Sequence, residues 1–220
     1  MENIEIRKNI STEVSWLDRD IKRFHDLGTM LPLNQIKIYE KIRDISEGLT
    51  VVDVGCSVGV GANIISHRAR HVWGIDINKE NLKFANHVFA RPNLSFEYFD
   101  LENPPSRELA KFNIVLMSEV IEHLDNPENG LHAIKRFFND KTVGYINTPN
   151  RNNPNLDGDV PKNPLHIKEW RAGEFYELLI KHFRSVVLYS VPKLNVWNHD
   201  ETIDGNATDT PMIAKVQLPI

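Results

Sequence analysis

The run Val51-Val52-Asp53-Val54-Gly55-Cys56-Ser57-Val58-Gly59-Val60-Gly61 constrains this chain more than any other stretch. A short apolar strand leads into a glycine-rich turn, and the residues after the turn continue as a helix. Glycines at such a junction let the backbone approach a ligand closely and present amide N–H groups at a helix N-terminus. A tight turn needing positive φ would ask for the same glycines with no ligand at all, so the run alone leaves both readings open. The spacing is not the dinucleotide fingerprint G-x-G-x-x-G, because Ser57 stands where its second glycine belongs.

What surrounds the run narrows the choice. Short apolar segments near 50–54, 72–76, 94–99, 112–117 and 142–147 alternate with segments expected to be helical, which implies a parallel sheet with helical crossovers on both faces. A helix is expected near Arg171 to His182, then strands near Arg184 to Ser190 and Met212 to Leu218, the last pair antiparallel with a long connection. Upstream, Ile21, Phe24 and Leu27 suggest one amphipathic helix, and Asn34 is expected to cap a second running to about Ser46. These would form an N-terminal helical cap over residues 1–48, with the main domain over 49–220. Two polar stretches, about Thr148 to Pro164 and Asn198 to Thr210, are expected to be loops.

Successive strands end in polar groups: Gly74-Ile75-Asp76, Phe99-Asp100-Leu101 and Leu116-Met117-Ser118-Glu119. Ligands of open α/β sheets bind at that edge, and an acid ending the second strand can accept both hydroxyls of a ribose. With these residues in place, the chain from Leu49 onward resembles the class I S-adenosylmethionine-dependent methyltransferases. The resemblance implies an α/β, single-domain, Rossmann-like doubly wound sheet of about seven strands, closed by a C-terminal antiparallel hairpin and preceded by N-terminal helices. It implies S-adenosylmethionine as cofactor, with the turn from Gly55 to Gly61 around its methionine part, Asp76 on the ribose, and Asp100 and Leu101 at the adenine. Asp53, Gly55, Cys56, Gly59, Ile77 and Ser118 complete the implied cofactor set.

The chain carries a second constellation. In Ser118-Glu119-Val120-Ile121-Glu122-His123-Leu124 a helical turn would put Glu119, Glu122 and His123 on one face, and Asn163-Pro164-Leu165-His166-Ile167-Lys168-Glu169-Trp170 follows beyond the loop. Carboxylates with imidazoles suit an octahedral Mg, Mn, Fe or Co ion that would activate and orient an acceptor hydroxyl. His123 or His166 could instead serve as general base, and the glutamates could be mere capping or lid-anchoring groups. The E-x-x-E-H run, T-P-N and the later histidine before Glu-Trp resemble the small-RNA 3′-terminal 2′-O-methyltransferases, whose metal-binding set matches Glu119, Glu122, His123 and His166. The same stretch resembles small-molecule O-methyltransferases of ubiquinone-pathway and sugar-modifying type. The RNA branch usually has Asp-His where this chain has Leu165-His166, so a small hydroxylated acceptor is favoured.

Composition sets the remaining bounds. With 220 residues, 41% hydrophobic and 25% charged, the chain has the profile of one globular domain with a modest extra segment. A formal net charge of -4 argues against a broad nucleic-acid footprint, and no apolar run is long enough to span a membrane. Cys56 is the only cysteine and no secretory h-region opens the sequence, so a cytoplasmic setting is expected. The glycosylation tripeptides at Asn9, Asn93 and Asn206 then read as chance. Trp16, Trp73, Trp170 and Trp197 are expected mostly in the core, with Trp170 the best placed to stack on an acceptor. His25, His67, His71, His87, His132, His182 and His199 show no ligand-like spacing. The leading reading is methyl transfer to a hydroxyl of a small molecule or sugar, with His123 and His166 activating the acceptor. The competing ones are an RNA 3′-terminal methyltransferase and a non-catalytic S-adenosylmethionine-binding protein.

Overall fold

The computed structural model describes residues 31–89, 91–151, 161, 163–190 and 211–220. Seven strands form one sheet: β1 (Thr50–Val54), β2 (His71–Asp76), β3 (Leu94–Tyr98), β4 (Ile114–Ser118), β5 (Val143–Thr148), β6 (Phe183–Ser190) and β7 (Met212–Pro219). Their order is β3-β2-β1-β4-β5-β7-β6, with β1 to β5 parallel and β7 antiparallel to both neighbours. The expected sheet, strand number and terminal antiparallel pair are therefore present. The order reverses between β1 and β4, and the C-terminal ends of those two strands open the crevice in which such sheets bind ligands.

Residue parity explains the two packed faces. In β1, Val52 and Val54 point to one face and join Phe137, Ile134 and Leu131. Val51 points to the other and joins Ile38, Ile42 and Ile65. In β4, Val115 and Met117 follow Val52, whereas Ile114 and Leu116 follow Val51. Strands buried on both sides read as continuous apolar runs, which is why VVDV and IVLM stood out in the sequence.

Among the described residues, five helices cover the sheet: α1 (Leu33–Ile45), α2 (Val60–Ser66), α3 (Lys79–Val88), α4 (Pro127–Lys135) and α5 (Ala172–Leu179). Helix α1 begins after Pro32, not at an Asn34 cap; proline's fixed φ suits a helix entrance. Its buried Ile38, Tyr39 and Ile42 share a core with β1 and α2. The caps of α3 and α4 are conventional, Asn78 accepting from the N–H of Glu80 and Asn81, and Asn126 from that of Asn129.

Between β3 and β4 the expected helix is missing, and residues 99–113 form an extended crossover without one. Pro104 and Pro105 explain this, since tandem proline removes amide donors and bars the preceding residue from helical geometry. Phe99, Leu101, Leu109 and Phe112 of that crossover pack into the core, where Phe112 stacks on Trp73 with ring centroids 5.8 Å apart. Asn93 donates its side-chain amide to the carbonyls of Ser66 and Ala69, so its sequon is used structurally. The upstream helix expected around Ile21 to Leu27, most of the first loop, the 198–210 stretch, Trp16, Trp197, His25, His199, Asn9 and Asn206 lie outside the described residues. No helix among the described residues is long and apolar enough to cross a membrane.

Candidate functional site

Left-handed backbone builds the glycine turn. Gly55, Ser57 and Gly59 have φ of 73°, 48° and 84°. Gly55 and Cys56 both donate their N–H to the Ile75 carbonyl, so the turn folds back over the end of β2. A Cβ on Gly55 would collide with Val120, and one on Gly61 with the Tyr39 ring, so glycine is demanded here by close packing. Ser57 keeps the turn although it is not glycine. It adopts the positive φ that glycine takes freely, its N–H bonds to Asp76 Oδ2 at 2.8 Å, and its hydroxyl accepts from Asn81 Nδ2 at 3.3 Å.

Two acids flank this turn. Asp76 accepts from Asn78 N–H on its other oxygen, at 2.7 Å. Burial raises its carboxyl above the ordinary range, with the bonds from Asn78, Ser57 and Ile77 pulling the other way. Asp53 is fully buried: Oδ1 accepts the Tyr39 hydroxyl at 3.4 Å, and Oδ2 has no hydrogen-bond partner. Burial pushes this carboxyl up to about 8, against the opposing Tyr39 bond. Cys56 is buried and its thiol is pushed up by the same desolvation, which makes it an inert packing group.

Of the other cofactor candidates, Ile77 projects beside Asp76 with 61% of its surface exposed. Asp100 accepts from the N–H of Glu102 and Asn103, rigidifying the turn after β3, while Leu101 is buried beneath it. Ser118 donates to Asn147 Oδ1 at 3.1 Å, joining the ends of β4 and β5. The Phe99 N–H bonds to the Asp76 carbonyl, so the ends of β2 and β3 lie side by side.

The acidic and histidine groups depart from the expected single helical face. Only Ile121–His123 form a turn, a single 3₁₀ turn, and Glu119 precedes it in left-handed backbone at φ 56°. Glu119 N–H bonds to the Asn147 carbonyl, while Val120 packs against Gly55, so this kink joins the glycine turn to the acidic segment. Among the described residues, Glu122, His123 and His166 form a group whose ligand atoms all lie within 4.8 Å of one another; Glu119 is not in it. The four-residue set expected from the sequence is thus three in this structure. The Glu119 carboxyl stays close by, with Oε1 buried and unpartnered, and burial pushes it up to about 7 with help from the Glu169 charge.

Each member of the trio is oriented by a neighbour. Glu122 accepts the Thr148 hydroxyl on Oε2 at 3.0 Å, and its Oε1 is buried without a partner. Burial, and then the Glu119 charge, hold its carboxyl well above the ordinary range. His123 Nδ1 donates to the Leu165 carbonyl at 2.9 Å, which places the lone pair of the neutral ring on Nε2. His166 Nδ1 meets Glu169 Oε1 at 2.5 Å, and the two imidazoles stand edge to face with centroids 4.8 Å apart. The Glu122 carbonyl accepts from the N–H of Ile167 and Lys168, latching the second segment onto the 3₁₀ turn. Metal bonds of about 2.1 Å set cis ligands about 3 Å apart, so the trio fits a divalent cation after a modest contraction.

Trp170 is not available to stack on an acceptor: it is 2% exposed and packs against Phe175. Three contributors escaped the sequence reading. Thr148 and Glu169 stood in the quoted motifs without an assigned role, the spacing of Glu169 three residues after His166 being the signal that could have found it. Tyr39 left no local signal, because its contact with Asp53 spans two elements.

Similarity to known proteins agrees with this picture. Residues 29–197 match the family model described as "Methyltransferase domain". A ubiquinone biosynthesis O-methyltransferase of Aeromonas salmonicida is 30% identical over 149 residues, covering 64% of this chain and 63% of that protein. One of Rickettsia typhi is 25% identical over 226 residues, covering 92% and 89%. A Mycolicibacterium smegmatis protein named "Probable S-adenosylmethionine-dependent methyltransferase" is 32% identical over 64% of this chain and 54% of its own length. The chain thus spans between half and two thirds of the length of the first of these relatives, and more of the Rickettsia protein. Among solved structures, the plantazolicin methyltransferase BpumL in complex with a triazolic desmethylPZN analog and SAH superposes with a TM-score of 0.67 at 14% identity, covering 99% of this chain and 98% of that one. The methyltransferase domain of bacterial CtHen1-C gives 0.61 at 20%, covering 86% and 100%. Sheet order, glycine turn and matched residues lead to one conclusion: the chain belongs to the class I S-adenosylmethionine-dependent methyltransferase family.

Proposed function

We propose that this chain transfers a methyl group from S-adenosylmethionine to a hydroxyl of a small molecule, assisted by a divalent cation at Glu122, His123 and His166. The convergence of these three side chains, joined to the glycine turn through Val120 and Gly55, carries the reading. The ubiquinone O-methyltransferase names among the relatives support oxygen as the methyl acceptor.

The residues present suit both groups. The unpartnered Asp53 Oδ2 is a buried polar atom left for a cofactor group, and Asp76 is held by two backbone N–H bonds with lone pairs left for ribose hydroxyls. S-adenosylmethionine brings a methyl group on a sulfonium, open to in-line attack by an oxygen nucleophile. Glu122 Oε1, His123 Nε2 and His166 Nε2 would hold the cation, whose charge lowers the pKa of a bound hydroxyl. The surrounding protein keeps this corner dry, since Glu122 and Glu169 are almost wholly buried, and a dry pocket strengthens each electrostatic contact. Against an RNA 3′ end as acceptor stands the net charge of -4.

Calorimetric titration of the metal-stripped protein with S-adenosylhomocysteine, then of that complex with Mn and Mg, tests the reading. Binding of both is expected. Cofactor binding without metal would move proton removal to His166 Nε2, backed by Glu169; absence of cofactor binding would end the enzyme reading.

A further inference from the structure

The segment carrying His166 is neither helix nor strand, so its backbone alone does little to aim the ring. Asn163 starts a turn by accepting the Leu165 N–H on its side chain and the His166 N–H on its carbonyl, which places the His166 Cα but leaves its ring torsions open. An imidazole offers a ligand atom toward Glu122 and His123 in only one orientation; turned over, it would show them a C–H edge. Among the described residues, the one side chain bonded to the His166 ring is Glu169, its Oε1 2.5 Å from Nδ1. Glu169 is 3% exposed, and burying a carboxylate is costly unless it is well paired. Among the described residues its charge meets no Lys or Arg, only His166.

We propose that Glu169 is a positioning residue, whose carboxylate takes the Nδ1–H of His166 and so turns Nε2 toward the point shared with Glu122 and His123. A carboxylate on Nδ1 selects the tautomer with its proton there and leaves the lone pair on Nε2. It also makes that lone pair more basic, the role of outer carboxylates behind metal-bound histidines. His123 is set the same way by the Leu165 carbonyl and Glu122 by the Thr148 hydroxyl, so Glu169 completes a frame in which each donor is aimed by one neighbour.

The proposal rests on the cation reading, and two measurements separate their failures. Nitrogen-15 NMR of the metal-stripped protein at pH 8, with the His166 ring assigned through His166→Gln, reads the tautomer directly. The ring is expected to carry its proton on Nδ1 in the wild type and to move to Nε2 or a mixture in Glu169→Ala. Calorimetry of the S-adenosylhomocysteine complex with Mn should show affinity falling about 10- to 100-fold in Glu169→Ala. Glu169→Gln, whose amide oxygen still accepts the Nδ1–H, should keep the proton on Nδ1 and lose less affinity; if the alanine variant does not fold, Glu169→Leu, which also removes the acceptor, carries both tests. S-adenosylhomocysteine affinity should stay level in all variants. An unchanged tautomer, or equal Mn affinity in a protein that binds Mn, in a folded variant without the Glu169 acceptor overturns the proposal. A wild type that binds no Mn ends the cation reading, and the tautomer then decides the role of Glu169 alone.

Discussion

Asp76 Oδ2 accepts the backbone N–H of Ser57 at 2.8 Å, so the acid ending β2 also holds the glycine turn in shape. One substitution therefore touches two functions. Asp76→Ala removes the acceptor proposed for the ribose and frees the Ser57 and Asn78 N–H groups, at a cost of about 1.5 to 3 kcal/mol for bonds to a charged group. S-adenosylhomocysteine affinity is expected to fall about 10- to 100-fold, with a lower melting temperature. Asp76→Asn keeps one acceptor oxygen and should lose less of each. Equal affinity in Asp76→Ala, read by calorimetry, would remove this residue from the ribose.

Glycine in the turn serves packing as well as conformation. Gly59 has φ 84°, and a Cβ there would stand 2.7 Å from Phe96 and 2.8 Å from Ala85, whereas Gly48, at φ 69°, has open space around it. Both alanine variants carry left-handed strain, but only Gly59→Ala adds overpacking of about 1 to 3 kcal/mol. The urea midpoint should therefore drop clearly further for Gly59→Ala than for Gly48→Ala. Equal midpoints would mean that backbone strain alone explains Gly59.

What could be read from the sequence was local. Val51, Val52 and Val54 form a strand at the expected residues because a buried parallel strand needs little beyond its own apolar run. The polar strand ends Asp76, Asp100 and Ser118 likewise follow from strand boundaries. Glu119 could not be placed, since its φ of 56° is imposed by a bond to the Asn147 carbonyl and by Val120 packing on Gly55, both distant in sequence. Trp170 was misread for a related reason: its neighbour His166 faces the site, but the core closes over the tryptophan itself. Tyr39 lies under the glycine turn only because α1 packs on α2.

The pH dependence of stability should expose Asp53. Its carboxyl is pushed up to about 8 from an ordinary 3.8, so the folded state holds a proton that the unfolded chain releases. The stabilisation is complete below pH 3.8, declines as pH rises, and is gone once pH passes about 8. Asp53→Asn removes this titration. Its melting temperature should gain on the wild type as pH rises from 5 to 8, and the gain should level off above that. A constant difference across the range would show that Asp53 does not carry the proton. The same variant should bind S-adenosylhomocysteine less well, because the carboxyl with the unpartnered Oδ2 is replaced by an amide that cannot ionise toward the cofactor.

At the opposite end of the sheet, His182 makes the reverse prediction. Its side chain is buried, Nδ1 has no hydrogen-bond partner, and its ring meets that of His132 edge to face with centroids 4.9 Å apart. Burial lowers its pKa below the ordinary 6.5; Lys135, His132 and Lys181 push the same way, and Glu128 opposes them. A histidine that stays neutral when folded leaves stability intact above pH 6.5 and costs stability as pH falls below it, because the unfolded chain then takes the proton first. His182→Phe keeps an aromatic ring against His132 and removes both the titration and the unpartnered nitrogen. Chemical denaturation at pH 7.5 and pH 5.5 should show the wild type losing more stability between the two than the variant. If the two lose the same amount, the acid sensitivity lies elsewhere in the molecule.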